Sequence, residues 1–84
     1  MYFVYAIYNS EVDKLYVGQS ENVGRRLREH NDKIFRGSWT SRFSGKWVLV
    51  YKEEFSNRPL AMRREKALKS YRGREFLKKL IKPE

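Results

Sequence analysis

The stretch of sequence that decides the fold is YFVYAIY at residues 2–8, followed by LYVG at residues 15–18. Aromatic and β-branched residues of this kind are typical of β-strands. Alternation places Phe3, Tyr5 and Ile7 on one face of the first strand and the residues between them on the other face. A polar turn at residues 9–13 connects the two strands, so the pattern predicts a β-hairpin.

A helix is predicted directly after the hairpin. Ser20 and Asn22 are both candidate N-caps for it. Helical periodicity then places four side chains on one face; they are Val23, Leu27, His30 and Ile34. Gly24 weakens this helix by up to about 1 kcal/mol relative to alanine.

The second half of the chain predicts one further strand and two helices. The strand is WVLVY at residues 47–51. Ser56 or Asn57 caps the next helix, and Pro59 fits its first turn. The core stripe of that helix consists of Leu60, Ala61, Ala67, Leu68 and Tyr71. Gly73 interrupts the pattern, and the apolar face of a last short helix follows: Phe76, Leu77, Leu80 and Ile81.

The order of elements is therefore β-β-α-β-α-α. It predicts an α+β fold, with a three-stranded sheet flanked by three helices, in a single domain over residues 1–84. The pattern alone does not predict the order of the strands within the sheet.

Charge and composition restrict the classes of partner and of metal site that the chain can have. The chain has 19 basic and 10 acidic residues, a formal net charge of +9 and a pI near 10.0. A small domain of this charge attracts polyanions, and nucleic acid is a better candidate than a membrane surface. The sequence contains no cysteine and one histidine, which excludes disulfides, thiolate zinc sites and multi-histidine metal centres. No apolar run approaches the roughly 20 residues of a bilayer span.

Four residues of the first half are candidates for a chemical site. Tyr5 and Tyr16 lie on the two arms of the hairpin, where their hydroxyls can share a site or serve as ordinary strand tyrosines. Arg26 and His30 lie one helical turn apart, with His30 inside the apolar stripe and Arg26 at its edge. A lone histidine there is usually a core residue, whereas an arginine at the edge of a buried stripe needs a partner such as phosphate.

Glu65 is a candidate metal ligand within the basic segment Arg63–Lys66. A single carboxylate holds Mg²⁺ when substrate phosphate and water complete the coordination shell. The alternative is a surface carboxylate that pairs with its basic neighbours. Arg64 falls in the apolar stripe of its helix, which indicates an internal partner or a shifted helical phase.

The loop at residues 36–46 is a candidate contact surface for nucleic acid. It contains Arg36, Trp39, Arg42 and Phe43, and Trp47 follows it directly. Aromatic rings beside arginines stack on unpaired bases. The alternative is that Phe43 and Trp47 belong to the core.

Four segments in this order resemble the GIY-YIG nuclease superfamily over nearly the whole chain. They are FVY at residues 3–5, YVG at residues 16–18, NV at residues 22–23 leading to RLREH at residues 26–30, and AMRRE at residues 61–65. The resemblance is closest to the small stand-alone bacterial members. Phe3 stands where glycine is usual, and valines at positions 4 and 17 replace isoleucine.

The resemblance implies a mixed or antiparallel sheet with a phosphodiesterase site. It implies that Tyr5 acts near the attacking water as general base or its orienter, and that Tyr16 hydrogen-bonds the scissile phosphate or Tyr5. Arg26 would neutralise the phosphoryl oxygens, and Glu65 would hold one Mg²⁺ or Mn²⁺ ion.

Three further roles are expected around that site. His30 would orient or deprotonate a tyrosine, Lys14 would lower the pKa of a phenol, and Gly18 would let the backbone approach the substrate. Because a phenol is a weak base at neutral pH, we expect either a depressed pKa at Tyr5 or Tyr16, or transfer of the Tyr5 proton through His30.

The expected function is that of a metal-dependent endonuclease acting on DNA rather than RNA. Single-stranded or branched DNA, in repair or processing, suits a domain with no separate sequence-reading module. The expected nucleic-acid contacts are Lys14, Gly18, Arg36, Trp39, Arg42 and Arg64. The expected location is the cytoplasm, without membrane contact. The alternative is a non-catalytic nucleic-acid-binding module on the same scaffold.

Overall fold

The computed structural model describes residues 1–32 and 39–81. Its strands are β1 (Tyr2–Asn9), β2 (Lys14–Ser20) and β3 (Val48–Phe55). Its helices are α1 (Val23–Asn31), α2 (Arg58–Lys69) and α3 (Tyr71–Ile81), with a short 3-10 turn at Thr40–Arg42. The predicted α+β class and the order β-β-α-β-α-α are confirmed.

The three strands form one antiparallel sheet in the order β2-β1-β3. The strand β1 lies in the centre because it is apolar on both faces: residues 4–7 are all buried. In the hairpin, Tyr5 is the register partner of Gly18. The turn between β1 and β2 places Asp13 at a φ of 53°, and the Tyr8 hydroxyl donates a hydrogen bond to the Asp13 carboxylate at 2.6 Å.

Each face of the sheet carries its own core cluster. On one face, Val4, Ala6 and Val17 pack against Ala61, Leu68 and Leu77 of the last two helices. On the other face, Tyr5 and Ile7 pack with Val23 of α1 and with Trp47. The sheet therefore lies between α2 and α3 on one side and α1 with the segment before β3 on the other.

Of the two predicted caps of the first helix, the structure selects Asn22. Its side chain accepts a hydrogen bond from the backbone N–H of Arg25 at 3.0 Å. Val23 and His30 of the predicted face are buried, whereas Ile34 lies outside the described residues. In α2, Asn57 is the cap and accepts from the backbone N–H of Leu60 at 3.0 Å.

The predicted boundary between the last two helices was wrong. Tyr71, assigned to the core stripe of the second helix, begins α3 and is 79% exposed. The Ser70 hydroxyl accepts from the backbone N–H of Gly73 at 3.2 Å, so a serine cap starts the new helix three residues before the glycine. Leu60 and Ala67 of that stripe are also exposed, whereas Ala61 and Leu68 are buried.

Gly73 does not interrupt a helix; it lies where α3 crosses α2. A Cβ at this position would lie 2.3 Å from the carbonyl oxygen of Ala67 and 2.4 Å from the Cα of Leu68. Glycine therefore permits a close backbone approach between the two helices.

Candidate active site

The two hairpin tyrosines lie side by side above Gly18. Their ring centroids are 6.3 Å apart with the planes tilted by 48°, and Tyr5 is 1% exposed. A Cβ on Gly18 would lie 2.9 Å from the Tyr5 hydroxyl and 2.9 Å from Cε2 of Tyr16. The glycine therefore leaves the space in which the two phenols meet.

His30 is buried, yet it is not an apolar core residue. Its Nε2 lies 3.0 Å from the Tyr5 hydroxyl, within hydrogen-bond distance. Its ring centroid is 5.0 Å from that of Tyr16. Because the Asn22 cap sets the start of α1, the helix brings His30, two turns further on, over the tyrosine pair.

Thr40 completes this arrangement, and sequence analysis missed it. Its hydroxyl oxygen lies 2.9 Å from Nδ1 of His30, and the residue is 2% exposed. If His30 Nδ1 carries the proton and donates to Thr40, then Nε2 is the acceptor for the Tyr5 hydroxyl. Thr40 lies in a polar loop rich in serine and glycine, where no pattern distinguished its hydroxyl from the others.

Arg26 approaches the same hydroxyl from the edge of α1. Its guanidinium hydrogen-bonds the side chain of Tyr5 and opposes the rise in the pKa of that phenol. Arg26 also pairs with Glu29 one turn away, at 3.7 Å. Helical phase placed this guanidinium at the edge of the apolar stripe, where it needs a partner. The phenol of Tyr5 is one such partner.

The environment of Tyr5 raises its pKa well above the usual value of 10.0. Burial is the largest cause of this raised pKa; the interaction with Tyr16 and the charge of Glu65 add to it, whereas Arg26 acts in the opposite direction. Tyr5 is consequently a neutral phenol at pH 7. The expectation of a depressed pKa was wrong for Tyr5, and the alternative route through His30 has the geometry that it needs.

Glu65 lies on α2, one helical turn before Lys69. Its charge acts on Tyr5, and its Oε2 accepts a hydrogen bond from the Lys69 ammonium at 2.7 Å. The described residues contain no group of three acidic, histidine or cysteine side chains able to hold a metal. The donor set fits a hard cation that takes one carboxylate oxygen from the protein and its other ligands from phosphate and water.

Arg64, the neighbour of Glu65, has internal partners, as its helical phase indicated. Its Nε donates to the Glu53 carboxylate at 3.0 Å, and its Nη2 donates to the Tyr51 hydroxyl at 3.4 Å. Its guanidinium also lies 6.0 Å from the ring centroid of Phe76. Its nucleic-acid contact stays a prediction.

The aromatic loop residues divide into one exposed and one buried tryptophan. Trp39 is 41% exposed, and its ring lies nearly parallel to that of Tyr16, with centroids 6.3 Å apart. Trp47 is fully buried, so it follows the alternative prediction that it belongs to the core. Asn31 holds it in place, accepting from its backbone N–H at 2.7 Å and donating to its carbonyl oxygen at 3.0 Å.

The remaining predicted contacts surround this aromatic loop. The Lys14 ammonium lies 5.9 Å from the ring centroid of Phe43, and Arg42 is exposed in the 3-10 turn. Arg36 lies outside the described residues. The structure thus brings together Tyr5, Tyr16, Gly18, Arg26 and His30 from β1, β2 and α1, with Trp39 beside Tyr16. Glu65 of α2 is related to this group through the effect of its charge on Tyr5.

Comparisons with known proteins identify relatives of this chain. A family model described as the GIY-YIG catalytic domain matches residues 1–79. A UPF0213 protein of Staphylococcus haemolyticus is 34% identical over 77 residues, which cover 92% of this chain and 90% of that protein. The solution NMR structure of a UPF0213 protein from Bacillus halodurans matches with a TM-score of 0.54 and 30% identity, over 95% of this chain and 85% of that one.

This chain therefore belongs to the GIY-YIG family, whose members are generally nucleases that depend on a divalent metal. Membership implies binding to nucleic acid in general. Across residues 1–32 and 39–81, each helix falls short of the length and apolar character that a membrane crossing requires.

Proposed function

We propose that residues 1–84 form a single metal-dependent endonuclease domain that hydrolyses phosphodiester bonds in DNA. The observation that carries the proposal is the convergence at one phenol: the Tyr5 hydroxyl meets His30 and Arg26 and lies within reach of the Glu65 charge. These side chains come from three separate elements of the fold. An ordinary core tyrosine has no need of an arginine and a carboxylate around its hydroxyl.

In the proposed reaction, Tyr5 orients and deprotonates the attacking water. Because burial keeps Tyr5 neutral in the free protein, its own proton has to leave as it receives the proton of water. His30 Nε2, at 3.0 Å, is placed to accept it, and Thr40 would hold the histidine in the tautomer with a free Nε2. Tyr16 would hydrogen-bond the scissile phosphate.

Two side chains would compensate the negative charge of the phosphate, one directly and one through a metal ion. Arg26 would neutralise the negative charge that builds on the phosphoryl oxygens. Glu65 would bind one Mg²⁺ or Mn²⁺ ion, and such an ion stabilises the leaving oxygen. Because Lys69 occupies one oxygen of the Glu65 carboxylate, metal binding requires this ion pair to rearrange or the other oxygen to serve.

DNA repair or processing is the biological setting that we propose. The net charge of +9 supports attraction to the phosphate backbone,. Backbone contacts would dominate in a domain of this size, so cutting would depend on DNA structure rather than on sequence. We propose in addition that the protein acts on this DNA in the cytoplasm.

A nicking assay tests the proposal. The purified protein is incubated with single-stranded, duplex and branched DNA and with RNA, in Mg²⁺, in Mn²⁺ and in chelator. Glu65→Gln is compared with Glu54→Gln, which makes the same charge change at an exposed position on β3. We expect cleavage that is lost in chelator and in Glu65→Gln but kept in Glu54→Gln.

Other outcomes would contradict the proposal. Cleavage that survives in Glu65→Gln would point to a contaminating nuclease or to another metal ligand. Binding of DNA by the wild type without cleavage under every metal condition would support the non-catalytic binding module instead.

A further inference from the structure

An open groove of about 1150 Å³ lies along the outer edge of β2. It is lined by Lys14–Val17 of β2, by Trp39, and by residues of α3 between Arg74 and Ile81. We name it the β2–α3 groove. In the strand order β2-β1-β3, β2 is an edge strand, and its outer edge pairs with no strand of the described residues.

The β2–α3 groove is basic. Two acidic side chains line it against five basic ones, which are Lys14, Lys69, Arg74, Lys78 and Lys79. Lys69 pairs with Glu65, whereas the other four form no ion pair with any carboxylate in the described part of the chain. Unneutralised cations along one groove attract a chain of phosphates.

The groove is continuous with the candidate active site. Tyr16 lines the groove, and its ring also contacts Tyr5 and His30. Lys69 lines the groove as well, and its ammonium holds the Glu65 carboxylate at 2.7 Å. A strand whose phosphate sits at the site would therefore enter the groove between these two side chains.

The lining also contains surfaces that suit unpaired bases. Trp39 is 41% exposed and faces the groove beside the ring of Tyr16, and Leu15 and Ile81, both partly exposed, add apolar surface. In a duplex the base faces are hidden in the stack, so aromatic and apolar surface beside the cations favours a single strand.

We propose that the β2–α3 groove binds a single-stranded arm of nucleic acid that flanks the scissile phosphate. The cleavage position rests on the proposed function, whereas binding in the groove does not require catalysis. An extended acidic peptide could pair with the free edge of β2, but it would leave the aromatic surface of Trp39 without a stacking partner.

Binding of a fluorescein-labelled oligothymidylate in chelator, followed by anisotropy at several salt concentrations, tests the groove. The groove variant is Arg74→Gln with Lys78→Gln and Lys79→Gln. Its control is Arg58→Gln with Arg63→Gln and Lys66→Gln, which removes the same charge from α2 outside the groove. All six side chains are exposed, so the fold should tolerate both variants.

We expect the groove variant to lose at least about tenfold in affinity and the control to lose less than about threefold. For a single strand, each lost phosphate contact lowers the slope of log affinity against log salt by about 0.7. The groove variant should therefore lose about 2 from that slope. Equal losses in the two variants, or no loss in either, would overturn the proposal.

Two further comparisons separate the alternatives. Trp39→Ala should weaken binding of oligothymidylate but leave binding of polyglutamate unchanged; equal effects on both would favour an acidic peptide and overturn the proposal. A wild type that binds the single strand through the groove but cleaves nothing in Mg²⁺ would refute the proposed function while the groove stands. Nicking by the wild type with equal binding in both triple variants would refute the groove alone.

Discussion

The hydroxyl of Tyr5 lies 3.0 Å from Nε2 of His30, across 25 positions of sequence. The hairpin supplies the phenol and α1 supplies the imidazole, and Thr40 contacts the other ring nitrogen at 2.9 Å. This chain of three side chains gives a buried, neutral phenol a route by which to lose its proton.

Stability at alkaline pH should report the environment of Tyr5. Its pKa is raised by burial above the value of 10.0 expected in the unfolded chain, so the neutral phenol favours the folded state. That contribution is fully present below pH 10 and is lost as the pH rises toward the folded pKa, by up to about 1.4 kcal/mol per pH unit. Chemical denaturation above pH 10 should show a smaller loss in Tyr5→Phe than in the wild type.

The raised pKa of Tyr51 contributes to the pH dependence in both proteins and cancels in that comparison. Identical pH dependence in the wild type and Tyr5→Phe would mean that the phenol is not desolvated as described.

Replacement of Thr40 should separate positioning from packing. Thr40→Val keeps the shape but leaves His30 Nδ1 without this hydroxyl, at a cost of about 1–3 kcal/mol in the free energy of unfolding. The histidine tautomers would then be less biased, and the acidic limb of the pH–rate profile should shift along with a fall in the nicking rate. Thr40→Ser restores the hydroxyl and should restore the profile.

A loss of stability in Thr40→Val with an unchanged pH–rate profile would assign Thr40 to packing alone.

Two glycine-to-alanine changes should differ in their effects on the nicking rate and on stability. A Cβ at Gly18 would meet the Tyr5 hydroxyl and the Tyr16 ring at 2.9 Å, so Gly18→Ala should displace both phenols and lower the nicking rate by roughly 100-fold. At Gly24 the nearest atom is the Asn22 Oδ1 at 3.8 Å. Gly24→Ala should leave nicking unchanged and stabilise α1 by up to about 1 kcal/mol.

Thermal unfolding and single-turnover nicking of both variants measure these effects. Full nicking activity in Gly18→Ala would show that the contact of the two phenols above the glycine does not matter for the reaction.

Arg26 and Arg64 should differ in function. Arg26→Gln removes the guanidinium at Tyr5 and should lower kcat by about 10²–10³-fold. Arg64→Gln removes a half-exposed pair with Glu53, which is worth about 0.2–1 kcal/mol of stability after solvent screening. If Arg64 makes the predicted nucleic-acid contact, the DNA affinity of this variant should also fall, by about threefold or more, as anisotropy would show.

Unchanged DNA affinity in Arg64→Gln would remove Arg64 from the predicted nucleic-acid contacts. Unchanged kcat in Arg26→Gln would remove Arg26 from the site.

Short-range patterns predicted much of this fold. The alternation of β1 assigned Tyr5 to its correct face, and the period of α1 placed His30 inward, because both follow from local geometry. The cap at Ser70 was missed because Tyr71 continued the apolar period across the true boundary. The central position of β1 depends on contacts between distant segments, which local periodicity does not encode.

The residues of the candidate site likewise include some that could be identified from sequence and some that could not. Residues on regular elements, such as Arg26 and Glu65, could be identified by helical phase and by family resemblance. Thr40 could not, because its role depends on the path of a loop that brings one of several hydroxyls to His30. The β2–α3 groove was likewise hidden, since its basic residues belong to β2, α2 and α3 and meet only in the folded chain.

Single-turnover nicking of DNA in Mg²⁺ by the wild type, Tyr5→Phe and the control Tyr2→Phe tests the proposed catalytic role of the Tyr5 hydroxyl. We expect Tyr5→Phe to nick about 10²–10⁴-fold more slowly while it binds DNA in chelator as the wild type does, and we expect Tyr2→Phe to nick normally. A Tyr5→Phe variant that keeps most of the wild-type rate would contradict that role.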